Sequence, residues 1–234
     1  MTGEVALSAE HVTMRYRGLL ALDDVSVAFE RGTTTGLIGP NGAGKTTFVN
    51  VLSGLVQPTS GRIRFDGQDK RRWSLSSAAR DGVGRTFQAS KVFRNRMVID
   101  NIDVAPVRLR ALEYDPLEIV DLADRRHDLA GSLSYGELRR LGVAIAISTA
   151  PRVLLLDEPG AGLTGGDLDR LSAVIRRVGA TGCTIVLVDH NMRFLMGSVE
   201  RVVVLEGGRL VADGTPEQVQ NDPQVRAAYL GGAA

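Results

Sequence analysis

The sequence predicts an α/β fold with a mainly parallel core sheet, an N-terminal antiparallel β-subdomain and a short α-helical subdomain. After Ser134, helical patterns alternate with apolar strands, which is typical of a parallel sheet with helices on its faces. The first third consists of short, partly alternating segments between glycine or charged turns. Residues 73–129 instead have few glycines after Gly84, and the helical patterns there are interrupted by Pro106 and Pro116.

The elements of the first third are predicted from short runs of β-forming residues. The strands are ALSAEHVTMRY (6–16), ALDDVSVAFE (21–30), TTTGLIG (33–39) and GRIRFDG (61–67). The third of these is apolar and β-branched, as a buried strand should be. The residues that follow it, KTTFVNVLSGL (45–55), have helical spacing.

The elements of the last third follow the α/β alternation. They are an apolar helix over 135–149, a strand RVLLLD (152–157), a helix GDLDRLSAVIRRVG (166–179) and a strand CTIVLVD (183–189). A chain of 234 residues is long enough to bury a sizeable core. We therefore predict one domain, in which residues 1–88 and 150–234 form the core with its β-subdomain and residues 89–149 form the helical subdomain.

The most specific motif is GPNGAGKTT, at residues 39–47, which fits the phosphate-binding pattern G-x-x-x-x-G-K-[ST]. Its glycines allow a tight turn that aims backbone N–H groups at one anionic pocket, and the helix that follows directs its positive end at the anion. The sequence therefore predicts binding of a nucleoside triphosphate, with a chance glycine-rich turn as the alternative. The predicted contacts are Asn41, Gly42, Ala43, Gly44, Lys45, Thr46 and Thr47.

The second motif is RVLLLDEP, at residues 152–159, in which an apolar run ends in two acids. Such a run is typical of a strand buried on both faces, and open α/β sheets bind ligands at the carboxyl ends of their strands. Asp157 can then reach a Mg²⁺ shell that includes the Thr46 hydroxyl. Glu158 can accept a proton from an attacking water. Acids at a strand end are often turn formers, but the phosphate loop upstream favours the functional interpretation.

Composition excludes several classes of function. The net charge is +1, so no overall positive charge points to a nucleic-acid partner. Cys183 lies alone in an apolar run; we expect it to pack as a small hydrophobe, and it can form no disulfide framework. The sequence contains no signal-peptide pattern and no apolar run of about 18 residues. We expect a soluble, cytoplasmic chain that reaches a membrane only through partners.

SLSYGELRR, at residues 132–140, stands shortly before RVLLLDEP and resembles the signature motif of ABC-type ATPases. The resemblance implies that Ser134, Tyr135, Gly136 and Glu137, at a helix N-terminus, contact the γ-phosphate of ATP held by an opposing subunit. Without that resemblance, an ordinary helix cap, with Glu137 as the capping partner of Ser134, is the better interpretation.

Other residues match landmarks of the same family. Gln88, which ends VGRTFQ, corresponds to a glutamine that senses Mg²⁺ and the attacking water. His190 corresponds to the switch histidine that contacts the γ-phosphate, and Tyr16 to the aromatic residue that stacks on adenine. A lone tyrosine at a strand end is more often a packing residue, and only the register of Tyr16 favours the adenine contact. The resemblance implies that Glu158, His190 and Gln88 are the catalytic residues. It also implies that Thr46, Gln88 and, through water, Asp157 hold Mg²⁺.

The finer detail resembles the branched-chain amino-acid importer branch of the ABC family. The run RTFQASKVFRNRMVIDNI (85–102), the LSYG form of the signature and the ending DPQVRAAYLGG (222–232) are all similar to that branch. Importers of urea and short-chain amides share these features. The sequence therefore indicates a branch of importers and leaves the solute open.

Some positions depart from the family pattern. The segment between Gln88 and Ser132 is shorter than in this branch, which bears on the docking of membrane subunits. Thr164, Gly165 and Gly166 follow Leu163 where Asp or Asn is usual, so the loop that joins the two active sites is expected to be looser.

Two further departures lie in the signature helix. Ile145 stands where an arginine is common, and Glu137 replaces the usual glutamine.

The resemblance implies an ATPase that closes as a dimer over two ATP molecules, with a second, identical or related ATPase subunit. Two multi-span permease subunits would dock near residues 88–102 and place the chain at the cytoplasmic face of the membrane. An extracytoplasmic binding protein would deliver the solute indirectly. The alternatives are a soluble ABC-type ATPase without a transport role and a low-turnover regulatory subunit.

Overall fold

The core of the protein is a mainly parallel sheet. The computed structural model describes residues 3–86, 92–103 and 112–226, and within them the core sheet has the strand order β10-β9-β3-β8-β7-β6. All neighbouring strands are parallel except β9 and β10. The core strands are β3 (Thr34–Ile38), β6 (Val83–Arg85), β7 (Val153–Asp157), β8 (Thr184–Val188), β9 (Arg201–Glu206) and β10 (Arg209–Gly214).

A second, antiparallel sheet is built from the N-terminal third of the chain. Its strand order is β2-β1-β4-β5, and β1 pairs with both β2 and β4. Its strands are β1 (Val5–Tyr16), β2 (Leu19–Glu30), β4 (Ser60–Phe65) and β5 (Gln68–Asp69).

Helices cover both faces of the core sheet. One apolar cluster joins the sheet to α3–α8, and another joins its opposite face to α1 and the antiparallel sheet. The described helices are α1 (Lys45–Leu52), α2 (Leu75–Asp81), α3 (Val98–Asp103), α4 (Pro116–Ile119), α5 (Tyr135–Ile147), α6 (Gly166–Ala180), α7 (Met192–Met196), α8 (Pro216–Asn221) and α9 (Pro223–Val225). Short 3₁₀ turns occupy Ala123–Arg125 and Ala130–Ser132.

Strand β7 shows why an apolar run forms the centre of this sheet. Successive side chains of a strand point to opposite faces, so Leu154 and Leu156 enter the cluster of α5 and α6 while Val153 and Leu155 enter the cluster of α1. Each is almost fully buried, and each such burial stabilises the fold by about 1.5–3 kcal/mol. The strand is therefore fixed firmly enough to position the acids at its end.

The predicted fold class is confirmed, with its parallel core sheet and N-terminal antiparallel sheet. The sequence interpretation named no strand after Asp189, but β9 and β10 complete the core sheet. It also included β6 in a stretch interpreted as mostly helical. The boundaries proposed for the helical subdomain, 89–149, remain a prediction. Within the described ranges, no helix has the length and apolar character needed to span a bilayer.

Candidate functional site

The phosphate loop follows β3 and turns into α1, as the motif predicts. Gly39 has φ +152°, and a Cβ built on it would lie 2.0 Å from the carbonyl oxygen of Leu205. Gly44 caps α1 in the left-handed region with φ +100°, and its Cβ would lie 2.6 Å from the carbonyl oxygen of Ala21. The loop is therefore held between β9 and the start of β2, and only glycine fits at these two positions.

The Lys45 ammonium lies over its own loop. Its Nζ donates to the carbonyl oxygens of Gly39 at 2.7 Å and Pro40 at 3.0 Å. Burial lowers the pKa of Lys45, while the nearby carboxylates of Glu158 and Asp157 oppose this shift. Lys45 is thus close to both acids that the sequence singled out, and a phosphate would offer it stronger, charge-assisted hydrogen bonds than the carbonyls do.

Asp157 ends β7 in a buried network. Its Oδ2 accepts from Arg85 Nη2 at 3.0 Å, and Arg85 Nη1 donates to Asn50 Oδ1 at 2.7 Å and to Ser53 Oγ at 3.0 Å. Burial raises the pKa of Asp157, and the Arg85 guanidinium works in the opposite direction. Arg85 therefore ties the end of β7 to the phosphate-loop helix. The sequence interpretation missed this role of Arg85.

The donor set fits a Mg²⁺ ion. Asp157 Oδ1 is buried and has no hydrogen-bond partner within the described part of the chain, although such oxygens are nearly always paired. Thr46 is exposed at the first turn of α1. A carboxylate and a hydroxyl oxygen, completed by phosphate and water, are the ligands that Mg²⁺ prefers. Gln88, the third predicted ligand, lies outside the described residues.

Glu158 directly follows β7 in a strained conformation. Its φ of +49° is uncommon for a residue with a side chain, and such strain is typical of functional sites. The conformation is fixed by hydrogen bonds: the Glu158 N–H donates to the Val188 carbonyl at 2.8 Å, and the Ala161 N–H donates to the Glu158 carbonyl at 3.2 Å. The half-buried Glu158 is therefore held at the carboxyl ends of β7 and β8.

Asp189 holds the loops after β7 and β8 together. It is 1% exposed, and its carboxylate accepts from the backbone N–H groups of Gly160 and Asn191, each at 2.9 Å. His190 is exposed beside it, with Nδ1 3.9 Å from Asp189 Oδ1. The sequence interpretation named His190 and missed Asp189. An acid that ends an apolar strand, the signal used for Asp157, would have found it.

The signature turn forms a capping box at the start of α5. Ser134 Oγ accepts from the Glu137 N–H at 3.3 Å, and Glu137 Oε2 accepts from the Ser134 N–H at 2.7 Å. Burial raises the pKa of Glu137, but the hydrogen bonds from Ser134 and the charge of Arg125 outweigh it and leave the pKa lowered. The helix-cap interpretation of these two residues is therefore correct as to structure. A cap does not exclude a phosphate contact, because Ser134 is exposed.

The strand order explains why these segments meet. β3, β8 and β7 are parallel neighbours, so the phosphate loop, His190 and Glu158 follow the same edge of the sheet. Tyr16 is exposed at the end of β1, where it pairs with Leu19. Its predicted contact with adenine stays a prediction.

The remaining loop residues differ in exposure. Asn41 and Gly42 are exposed, Thr47 is half-buried, and Ala43 is buried. Ala43 packs in the apolar cluster that joins α1 to the antiparallel sheet.

Two family models match parts of this chain. The family model described as "ABC transporter" matches residues 22–161, which include the phosphate loop, the signature turn and Glu158. A second model, "Branched-chain amino acid ATP-binding cassette transporter", matches residues 209–234.

Several relatives match over nearly their whole length. The branched-chain amino acid transport ATP-binding protein BraF of Pseudomonas aeruginosa is 39% identical, with 97% of this chain and 98% of BraF covered. LivG of Escherichia coli K12, described in the same words, is 38% identical with the same coverage. The lipopolysaccharide export system ATP-binding protein LptB of Haemophilus influenzae is 34% identical, covering 96% of this chain and 97% of LptB.

Solved structures show the same fold. The ADP conformation of an ATP-binding cassette of an ABC transporter superposes with a TM-score of 0.88 at 26% identity, covering 98% of this chain and 100% of that one. A nucleotide-free cassette gives 0.83 at 25% identity, covering 96% and 98%. ATP hydrolysis is the characteristic activity of such cassettes. The chain therefore belongs to the ABC transporter family, as one of its ATP-binding cassettes.

Proposed function

We propose that this chain hydrolyses ATP to power the import of branched-chain or other hydrophobic amino acids. The observation that carries the substrate class is the match of residues 209–234 to a family model for branched-chain amino acid transporters. Identities of 39% and 38% to BraF and LivG, over almost the whole chain, support it.

The proposed chemistry gives each predicted side chain a role. Lys45 and the loop N–H groups would bind the β- and γ-phosphates, and Thr46, Gln88 and, through water, Asp157 would hold Mg²⁺. The ion, when bound, neutralises phosphate charge. Glu158 accepts a proton from the attacking water, and its fixed backbone orients the carboxylate for that step.

Two further contacts complete the proposed site. His190, on the neighbouring loop, donates to the γ-phosphate, and Tyr16 stacks on adenine.

A second ATPase subunit completes each site. Ser134 and Gly136 lie at the N-terminus of α5, whose positive end suits a phosphate, and we propose that they contact ATP bound to the other subunit. Closure over two ATP molecules and opening after hydrolysis would be the motion passed to the membrane subunits. The second subunit is either another copy of this chain or a related one.

An exposed apolar patch is the proposed docking surface for the permeases. Phe93, Met97 and Leu129 are 52%, 43% and 56% exposed, and Met97 and Leu129 are joined by a β-bridge. Exposed apolar side chains that cluster mark interaction sites. The patch overlaps the segment 88–102 that the sequence interpretation assigned to permease contact, and permeases bound there would hold the chain at the cytoplasmic face of the membrane.

A pull-down from detergent-solubilised native membranes tests the proposal. The bait is the tagged Glu158→Gln variant in the presence of ATP, because this variant should bind nucleotide without hydrolysing it and so stay closed. The matched control is the same variant with the additional substitution Lys45→Ala. We expect Glu158→Gln to recover multi-span permeases and a second ATPase. The identity of these subunits would then point to their companion amino-acid binding protein. Recovery of soluble proteins alone would contradict the transport role.

The relation to LptB supplies a second candidate. Its 34% identity over 96% of this chain makes lipopolysaccharide export the alternative. The permeases recovered in the pull-down would distinguish export from the uptake of amino acids, urea or short amides.

Phosphate release by the recovered complex distinguishes an ATPase from a low-turnover regulatory subunit. ATP turnover by the wild-type complex that is lost in Glu158→Gln would support the assignment of this chain as an active ATPase.

A further inference from the structure

Tyr135 and Arg139 connect the signature helix to the turn that carries Glu158. The Tyr135 hydroxyl donates to the carbonyl oxygen of Ala161 at 3.0 Å, and Arg139 Nη2 donates to the same oxygen at 3.0 Å. Arg139 also donates to the Tyr135 hydroxyl through Nε at 3.1 Å. Its guanidinium lies 5.0 Å from the centre of the Tyr135 ring, within the range of a cation–π contact.

The backbone packs closely around this contact. Gly162 has φ +79°, and a Cβ there would lie 3.1 Å from the Tyr135 ring. A Cβ at Gly136 would lie 2.6 Å from the carboxylate carbon of Asp167, at the start of α6. The turn after β7 and the start of α5 therefore pack as one unit.

This unit reaches both catalytic loops. The Ala161 N–H donates to the carbonyl of Glu158 at 3.2 Å, and the Gly160 N–H donates to the Asp189 carboxylate at 2.9 Å, one residue before His190. Hydrogen bonds on both sides of the short backbone segment 160–161 thus link Tyr135 to Glu158 and Asp189.

The glycines just beyond this contact are exposed. A Cβ added at Gly165 or at Gly166 would meet no atom within 4 Å in the described structure, and Gly165 has φ +51°. This is the segment in which the sequence departs from its family after Leu163. The contacts to Ala161 therefore lie directly before a segment whose glycines face open space.

We propose that Tyr135 and Arg139 are positioning residues, which couple the start of α5 to the conformation of Glu158 in the same chain. This inference rests on the proposed function, in which the start of α5 contacts the ATP of a second subunit. Because the link is intramolecular, nucleotide bound at the second subunit would shift the turn that carries Glu158, and the two sites would hydrolyse ATP cooperatively.

Hydrogen exchange of the whole chain without nucleotide tests the contact itself. Tyr135→Phe keeps the ring and removes the hydroxyl, and Arg139→Gln removes the guanidinium that donates to the Ala161 carbonyl. We expect the amides of Ala161 and Leu163 to exchange about fivefold faster in each variant, the effect of losing one net hydrogen bond. The matched control is Tyr114→Phe, which removes a hydroxyl bonded to the Ile147 carbonyl at the other end of α5 and should leave these amides unchanged.

ATP hydrolysis by the assembled complex tests the coupling. For the wild type we expect a Hill coefficient clearly greater than about 1, the value for two independent sites. For Tyr135→Phe and Arg139→Gln we expect the coefficient to fall to about 1, and kcat to be about fivefold lower than in the wild type. For Arg139→Gln, the nucleotide affinity of the isolated chain should change less than about twofold, because the phosphate loop is untouched. Arg139→Lys keeps one donor for the Ala161 carbonyl and should restore part of both losses.

Wild-type exchange rates in the variants would overturn the inference, and so would faster exchange with unchanged kcat and Hill coefficient. A wild-type complex without ATP turnover would instead overturn the proposed function and the cooperative role with it. The exchange measurement would still decide whether Tyr135 and Arg139 hold the turn, so the two failures are distinguishable.

Discussion

At the scale of single residues, the phosphate loop depends on where a side chain is tolerated. Gly39 and Gly42 both have positive φ, but a Cβ at Gly39 would lie 2.0 Å from the Leu205 carbonyl oxygen, whereas at Gly42 it would meet nothing within 4 Å of the described atoms. We expect Gly39→Ala to lower the free energy of unfolding by about 3 kcal/mol or more, since it adds a clash to strain.

The matched variant Gly42→Ala should cost only about 1 kcal/mol, the strain of the left-handed region alone. Urea denaturation of both variants without nucleotide measures the difference. Equal losses would show that the contact with Leu205 does not constrain the loop.

Cys183 offers a probe of unfolding. Burial raises the pKa of its thiol to about 12, and the thiolate is the reactive form. We expect a thiol reagent at pH 8 to label Cys183 only as fast as the protein opens, with Cys183→Ala as the unreactive control. Immediate labelling of the native protein would contradict the buried position.

The same thiol makes stability depend on pH. Because its pKa is higher in the folded state than the ordinary value of 9.0, the unfolded chain releases the proton first. Its contribution is therefore fully present below pH 9 and is lost as the pH rises from 9 towards 12. Cys183→Ala should reduce the fall in the free energy of unfolding over that range, measured by urea denaturation.

At the scale of elements, α5 begins with a serine that has two possible roles. Ser134 caps the helix through the Glu137 N–H, and we propose that it also contacts a phosphate. Ser134→Ala should lower the free energy of unfolding by about 1 kcal/mol, the usual cost of a lost cap.

Ser134→Asp separates the two roles, because aspartate caps a helix as well as serine does but repels phosphate. We expect near wild-type thermal stability for Ser134→Asp, together with a loss of ATP-dependent subunit association measured by size-exclusion chromatography. Wild-type association in this variant would show that Ser134 acts only as a cap.

At the scale of the whole molecule, nucleotide binding joins parts that are distant in sequence. The site is bounded by the loop after β3, the end of β7 and the loop after β8, so ATP should stabilise the entire domain. Linkage predicts about 2.7 kcal/mol at an ATP concentration 100 times the dissociation constant.

Lys45→Ala should remove most of this gain, because a charge-assisted bond to phosphate is lost. Thermal unfolding with and without Mg²⁺ and ATP measures it. Leu117→Ala, buried in α4 within the apolar cluster on the other face of the core sheet, provides a destabilised control that should keep its response to ATP. An ATP response in Lys45→Ala equal to that of the wild type would contradict the assignment of the phosphate loop.

The local elements of this protein follow directly from its sequence. Neighbours a few residues apart determine the glycine loop between an apolar strand and a helix, the two acids that end RVLLLDE and the capping residues Ser134 and Glu137. Local backbone preferences and hydrophobic periodicity are sufficient to predict them, and the mainly parallel sheet follows from their alternation.

Only the tertiary structure decided how these elements meet. Arg85 bonds Asp157 across 72 residues of sequence, and Asp189 bonds Gly160 across 29. Tyr135 reaches Ala161 only because α5 packs beside the turn after β7. Such partners depend on strand order and on packing rather than on local propensity. The sequence therefore determined the chemistry available to this cassette, and the fold decided which groups share one edge of the sheet.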